Sequence, residues 1–259
     1  MLLTMRQASR LPHFYEGVVR GDIMKKGVVY IAFGDRYVDE VLFSAATLKA
    51  VSDLHVTLFT DRKVASRNID SVVEIEPDHK RPKVDHMPRT PYDLTLYLDS
   101  DTQIERDVTD VFAILDRFDL AAVHDHSRKS SRWASVIPEY DAIPYAFPEY
   151  NAGVVLFRKS PRLDGFFRLW QEHFHRYRKA TKGQDQASFR IALWQSELQI
   201  HTLPFEYNVR NLHIRKKMAK RAKSPADESL LKPRILHWHG LDQKKPLAPF
   251  LAKYKAMPY

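Results

Sequence analysis

Residues 96–104 read LYLDSDTQI. An apolar run passes directly into two carboxylates, Asp99 and Asp101, spaced Asp-x-Asp. The run LTLYL (94–98) predicts a buried strand, which places both acids at its C-terminal end. In open α/β sheets, ligands bind at that end. On extended chain, residues i and i+2 face the same side, so both carboxylates can reach one cation. Mg²⁺ and Mn²⁺ favour such oxygen donors and commonly bridge protein carboxylates to substrate phosphates. A polar turn after a strand accounts for the same residues, because Asp and Ser favour turns.

Working outward, GVVYIAF (27–33) reads as a strand bounded by Gly34, and 39–50 places Val41, Leu42, Ala45 and Leu48 at helical spacing. LHVTLFT (54–60), VVEIE (72–76), DLAAVH (119–124) and AGVVLF (152–157) read as further strands. Strands alternating with a helix predict an α/β fold with a mainly parallel, buried sheet. Ser160-Pro161 offers a helix N-cap followed by Pro at the first helical position. The stripe that follows, Leu163, Phe166, Phe167, Trp170, Phe174 and Tyr177, has the spacing of a core-facing helix. A shorter helix is expected over 185–195, and RILHWHG (234–240) reads as a late strand ending at Gly240. No internal repeat or linker interrupts the chain, which predicts one domain over 1–259.

The 259 residues are 44% hydrophobic, enough for a large core, and no 18-residue apolar run is present. No segment is therefore expected to span a membrane, and the first 17 residues lack the continuous apolar stretch of a secretory leader. With no cysteine, disulfides and thiolate metal sites are excluded. These features fit a cytoplasmic protein. The net charge of +9 suits an anionic partner: nucleic acid, a membrane surface or a diphosphate. Seven Lys or Arg and no acid fall within 210–223 (RNLHIRKKMAKRAK). A solvated face, peripheral contact with the inner face of a membrane, and phosphate contact all account for that run. Single-strand nucleic-acid binding normally adds aromatic stacking platforms, and the run has none, so no nucleic acid is expected.

A second chemical cluster lies at ILHWHG (235–240), where an extended chain puts His237 and His239 on one face. Lys244 and Lys245 follow. An imidazole beside two carboxylates leaves a divalent ion open positions for a diphosphate, and a lysine can share the developing negative charge.

The ordered segments YVDEVLFSAATLK, KVDHMPRTPYDLTLYLDSD, YNAGVVLFR, GQDQASF, LPFEYN and HWHGLDQKKP resemble the retaining glycosyltransferases of the GT-A fold. The nearest likeness is to the glycogenin and bacterial lipopolysaccharide galactosyltransferase group, or a sister family, from about Val28 to Pro246. The resemblance implies a Rossmann-like nucleotide-diphospho-sugar transferase fold, with a nucleotide-binding half at about 27–125 and a donor-sugar and acceptor half at about 126–259. It implies that Asp99, Asp101 and His237 hold Mn²⁺ or Mg²⁺, with His239 a neighbour. It also implies that Lys244 or Lys245, after Gly240, contacts the diphosphate; the gap before Lys245-Pro246 is longer than usual, and Leu247 replaces the family's Trp.

By the same resemblance Tyr37 stacks on the base, although Gly34 stands where relatives often have a polar residue. Lys83 reaches the donor phosphate or sugar. Asn151 lines the donor-sugar pocket, and Gly153 allows close backbone approach. Asp185 binds sugar hydroxyls and Gln186 sits by the reacting face, while helix capping is the plainer role for Asp185. LPFEYN (203–208) is expected to be a structural loop near the acceptor. The implied reaction moves a hexose from a nucleotide-sugar, UDP-hexose first among them, to a glycan, lipid-linked or small-molecule hydroxyl with retention. Glu206 or Asp141 as a general base would instead favour inversion. A sugar-phosphate nucleotidyltransferase needs a Gly-rich loop after its first strand, and Phe33-Gly34-Asp35-Arg36 has one Gly.

Overall fold

Apolar runs without polar alternation need cover on both faces, and helices placed between strands provide it. The structure is a computed structural model and describes residues 24–210, 212–221 and 232–238. Its first elements are β1 (Lys26–Ile31), α1 (Gly34–Lys49), β2 (His55–Thr60), β3 (Ser71–Glu74), α2 (Lys83–His86), β4 (Leu94–Leu98) and β5 (Thr102–Ile104). They are followed by β6 (Leu120–His124), α3 (Ser131–Ala134), α4 (Pro138–Ala142), β7 (Tyr150–Arg158) and α5 (Pro161–Tyr177). The last are α6 (Gln186–Gln195), β8 (Ile200–Thr202), α7 (Leu212–Arg221) and β9 (Ile235–His237).

Seven strands form one sheet in the order β3-β2-β1-β4-β7-β6-β8, and β5 pairs with β9 in a separate ribbon. Pairs β1–β2, β1–β4, β2–β3 and β6–β8 are parallel, as expected. Strand β7 runs antiparallel to both β4 and β6. This reversal positions the site. With Leu98 opposite Val154, the chain leaving β4 emerges beside the residues entering β7, and Asp99 N–H donates to Gly153 O at 2.8 Å.

Alternate strand residues feed two cores. Val28, Tyr30, Leu96 and Leu98 pack with Val41, Ala45 and Leu48 of α1, whereas Val29, Ile31 and Tyr97 pack with Phe166, Trp170 and Phe174 of α5. Helix α5 starts as predicted: Ser160 Oγ accepts from Leu163 N at 3.2 Å, and Pro161 follows it. Helix α1 begins earlier than its apolar spacing suggested, because Gly34, at φ +75°, turns the chain sharply out of β1. The left-handed backbone gives this glycine a steric reason independent of any ligand. Among the described residues no helix is long and apolar enough to cross a membrane. The basic run does form a helix, α7, which buries Met218 and exposes Lys216, Lys217, Lys220 and Arg221.

Candidate active site

Asp99 and Asp101 flank a turn between β4 and β5 and do not lie along one extended strand. The i, i+2 geometry expected from the sequence therefore does not apply. What aligns the carboxylates is the turn, closed by Thr102 Oγ1 donating to Asp99 O at 2.9 Å. Strand β9 brings His237 opposite Thr102, and Trp238 N donates to Asp101 O at 2.8 Å. His237 Nε2 then lies 3.1 Å from Asp101 Oδ1 and 3.9 Å from Asp99 Oδ2. One donor atom from each of the three residues falls within 4.8 Å of the others. The set of two carboxylates and one imidazole suits Mn²⁺ or Mg²⁺.

The room for this cluster comes from Gly153. A Cβ there would stand 2.3 Å from His237 Cε1 and 2.7 Å from Asp99 Oδ2, closer than heavy atoms pack. His237 is 3% exposed, and its other nitrogen is engaged as well: Nδ1 lies 2.8 Å from Asn208 Oδ1. Asn208 Nδ2 donates to Asn151 Oδ1 at 2.9 Å, and Asn151 Nδ2 donates to Asp125 Oδ2 at 3.1 Å. Arg210 Nη1 contacts the same Asp125 oxygen.

Beside the cluster lies a buried ion pair. Lys83 Nζ is 3.1 Å from Asp99 Oδ1, 3.2 Å from Asp185 Oδ2 and 3.0 Å from Ala152 O. Burial alone would lower the Lys83 pKa, but the charges of Asp185 and Asp99 outweigh it and hold it above its ordinary value. Burial would likewise raise Asp185, yet Lys83 and Arg81 hold that carboxyl below its usual range. Asp185 stands at the N-cap position of α6 but makes no capping bond; its side chain pairs with Lys83 and with Arg81 Nε, at 3.3 Å. The capping explanation thus fails on geometry. Tyr97 OH donates to Asp99 Oδ1 at 2.7 Å, and burial, reinforced by Asp99, pushes that phenol well above its ordinary pKa.

Gln186 opens α6 and its Nε2 contacts Tyr150 O; Tyr37 sits half-exposed on the first turn of α1. Asp141, raised as a general base, pairs with Lys129 at 3.1 Å, and Glu206 O accepts from Arg234 N. Gly240, Lys244, Lys245 and His239 lie outside the described residues. Sequence reasoning did not pick out Arg81, Asp125, Asn208 or Arg210. Asn208 closes the LPFEYN segment expected to be only structural, and Arg81 lies in the basic stretch before Lys83.

Among solved structures the chain is similar to the galactosyltransferase LgtC, whose structure holds donor and acceptor sugar analogs. The two share 16% identity over 83% of this chain and 87% of that one, with a TM-score of 0.58. GlyE of Streptococcus pneumoniae TIGR4 shares 18% over 90% of this chain and 61% of its own, at a TM-score of 0.60. The bifunctional glycosyltransferase WbbM shares 15% over 89% and 47%, at 0.51. At these identities the likeness establishes the GT-A fold. No curated protein matches the chain. Residues 88–246, more than half of the chain, match the model of glycosyl transferase family 8, and the protein belongs to that family of glycosyltransferases.

Proposed function

We propose that the protein transfers a hexose from a nucleoside diphosphate sugar, UDP-hexose first among them, to a hydroxyl of a glycan, lipid-linked or small-molecule acceptor, with retention at the anomeric carbon. The observation that carries this reading is the convergence of Asp99, Asp101 and His237 beside the buried Lys83–Asp185 pair, at the C-terminal end of β4. LgtC, which has this fold, was solved with donor and acceptor sugar analogs, and that supports a donor of this class here.

Asp99, Asp101 and His237 Nε2 would hold Mn²⁺ or Mg²⁺. Bound there, the ion supplies charge neutralisation for a departing diphosphate. Lys83 carries a second positive charge toward the same place, and Lys244 or Lys245 is assigned to the diphosphate by the family resemblance, with Gly240 before them. Asp185 Oδ2 lies 3.2 Å from Lys83 Nζ, and an ionised carboxylate has lone pairs beyond that contact with which to accept from a sugar hydroxyl. Asn151, Gly153 and Gln186 flank the same space, and Tyr37 is assigned to the base. In this scheme residues 27–125 bind mainly the nucleotide and 126–259 the donor sugar and acceptor.

Transfer breaks the bond between the anomeric carbon and the diphosphate oxygen, whose electron pair leaves with the diphosphate. The acceptor oxygen bonds the same carbon from the same face, and its proton passes to the leaving oxygen. A depressed pKa makes Asp185 a weak base, in keeping with this route over one that needs a strong carboxylate base. Docking of α7 on an anionic membrane surface is a separate proposal, tested by flotation with anionic vesicles; a protein left at the bottom of the gradient ends it.

The test is a thermal-shift panel of UDP and GDP, each with Mn²⁺, Mg²⁺ or EDTA, on the wild type and Asp101→Ala. A ligand at about 100 times its Kd adds roughly 2.7 kcal/mol of stability. The expected outcome is a rise with one nucleotide that needs metal and is lost in the variant. No shift with any nucleotide would overturn the donor assignment.

A further inference from the structure

A second group of imidazole and carboxylate side chains meets beside α2. His79 comes from the segment between β3 and α2, Asp85 from α2 itself, and His175 from the last turn of α5. Asp85 stands between the two imidazoles, with Oδ2 at 2.5 Å from His79 Nε2 and Oδ1 at 3.1 Å from His175 Nε2. One donor atom from each of the three residues lies within 4.8 Å of the others. The two rings meet edge to face at 5.4 Å, and His79 also packs on Phe174 at 4.8 Å. Nothing in the proposed transfer reaction uses these residues.

We propose that His79, Asp85 and His175 form a second metal site, for a zinc-class ion, that clasps the segment ahead of α2 to α5. The donor chemistry separates it from the first site. Two imidazoles and one carboxylate form a borderline set that favours Zn²⁺, Co²⁺ or Ni²⁺, whereas the two carboxylates of Asp99 and Asp101 with one imidazole suit harder ions. Three protein ligands leave a fourth tetrahedral position for water. Asp78, with Oδ1 3.5 Å from His79 Nε2, adds negative charge beside the ion. The side chains are graded in exposure, 8% at His79, 28% at Asp85 and 42% at His175, so the site is anchored at one end and open to solvent at the other.

Filling the site requires two adjustments. Ligands of a tetrahedral zinc lie about 3.3 Å apart, so the 2.5 Å contact must open by somewhat under 1 Å. Arg81 N–H donates to His79 Nδ1 at 3.1 Å, which places the ring proton on Nε2, toward Asp85. Coordination at Nε2 moves that proton to Nδ1, and the Arg81 amide exchanges its partner for water. Ion binding is thereby felt at Arg81, whose side chain pairs with Asp185.

The experiment uses the full chain, free of any affinity tag and stripped with EDTA, in a His237→Ala background that disables the first site. Calorimetric titration with Zn²⁺ should show one bound equivalent. Adding His175→Ala, at an exposed position, should weaken it about tenfold or more and abolish the zinc-dependent rise in Tm. Asp85→Asn keeps the volume of the side chain and should give the same loss, so the result does not hang on how one variant folds. Uptake of no zinc by the His237→Ala protein, or unchanged affinity in both double variants, overturns the proposal. His175→Ala alone should leave the Mn²⁺-dependent nucleotide response in place, which separates a failure here from a failure of the donor assignment.

Discussion

Asp125 and His237 are joined through two amides, and Asp125 thereby fixes Nδ1 of the imidazole as a hydrogen-bond donor. A carboxylate only accepts, so Asn151 must turn its Nδ2 toward Asp125 and its Oδ1 toward Asn208. Asn208 must then present Nδ2 to Asn151 and Oδ1 to His237 Nδ1. Nδ1 is left as the donor, and Nε2, 3.1 Å from Asp101 Oδ1, is the nitrogen turned toward the carboxylates. Arg210, in contact with Asp125, keeps that carboxyl below its ordinary pKa despite burial, which secures its acceptor-only state. Such outer partners commonly tune metal affinity as strongly as they orient the ligand.

Asn208→Ala should therefore weaken Mn²⁺ binding by about 10- to 100-fold, although Asn208 does not belong to the Asp99–Asp101–His237 set. Asp125→Asn should act in the same direction, because an amide can donate as well as accept and no longer fixes the Asn151 flip. The check is a Mn²⁺ titration of the nucleotide-dependent thermal shift. Wild-type Mn²⁺ affinity in Asn208→Ala would show that His237 orients itself.

Two glycines should respond oppositely to alanine. In Gly153→Ala the new methyl would overlap the His237 ring and the Asp99 carboxylate, an overpacking that typically costs about 1–3 kcal/mol and should abolish the metal response. At Gly165, inside α5, the nearest atom to a new Cβ is the mobile end of Arg168 at 3.9 Å. Gly165→Ala should gain up to about 1 kcal/mol from helix propensity alone. Urea denaturation of both variants measures the contrast; equal effects would mean that the Gly153 approach relaxes easily.

The first half of the fold was legible because its strands are long apolar runs divided by polar turns, as at 54–60 and 94–98. Strands β5 and β8, three residues each, are too short for periodicity to register, and β5 exists because β9 returns to pair with it. The reversed direction of β7 leaves no local mark in AGVVLF. At the site, Asp99 and Asp101 stood out because they are adjacent to a strand. Their partners depend on contacts across long separations, 29 residues for Asn208 to His237 and 85 for Arg210 to Asp125. No spacing rule reaches that far, and Asn208 carries no local signal beyond its place in LPFEYN.

Lys83 is the cation between two carboxylates, so Lys83→Met should do more than remove a contact. Among the described residues, Asp99 and Asp185 would then face each other with Arg81, at the solvent edge, to offset Asp185. Removing one partner of a buried pair costs about 3–5 kcal/mol. Adding Asp185→Asn should recover part of that loss, since one of the stranded charges is gone. Urea denaturation of wild type, both single variants and the double variant in EDTA closes the cycle. Strict additivity would show that the pair is not energetically coupled.

Glu149 should make the fold less stable as pH rises from about 4.5 toward neutrality. Its carboxyl is 2% exposed and is pushed up to about 7, by burial first and then by the charge of Asp125 against the opposing pull of Tyr140 and Arg190. In the unfolded chain the same group ionises near 4.5. Below 4.5 both states hold the proton and the contribution is whole. Between 4.5 and about 7 the unfolded chain gives up its proton first, so stability falls with rising pH, and above 7 the loss is complete. The difference between the two pKa values corresponds to a loss of about 3 kcal/mol at most. Glu149→Gln, which cannot ionise, should remove this slope while other groups titrate as before. Urea denaturation from pH 5 to pH 8 on both proteins isolates the effect as the difference between the two curves, and parallel curves would mean that Glu149 is already ionised in the folded protein at pH 5.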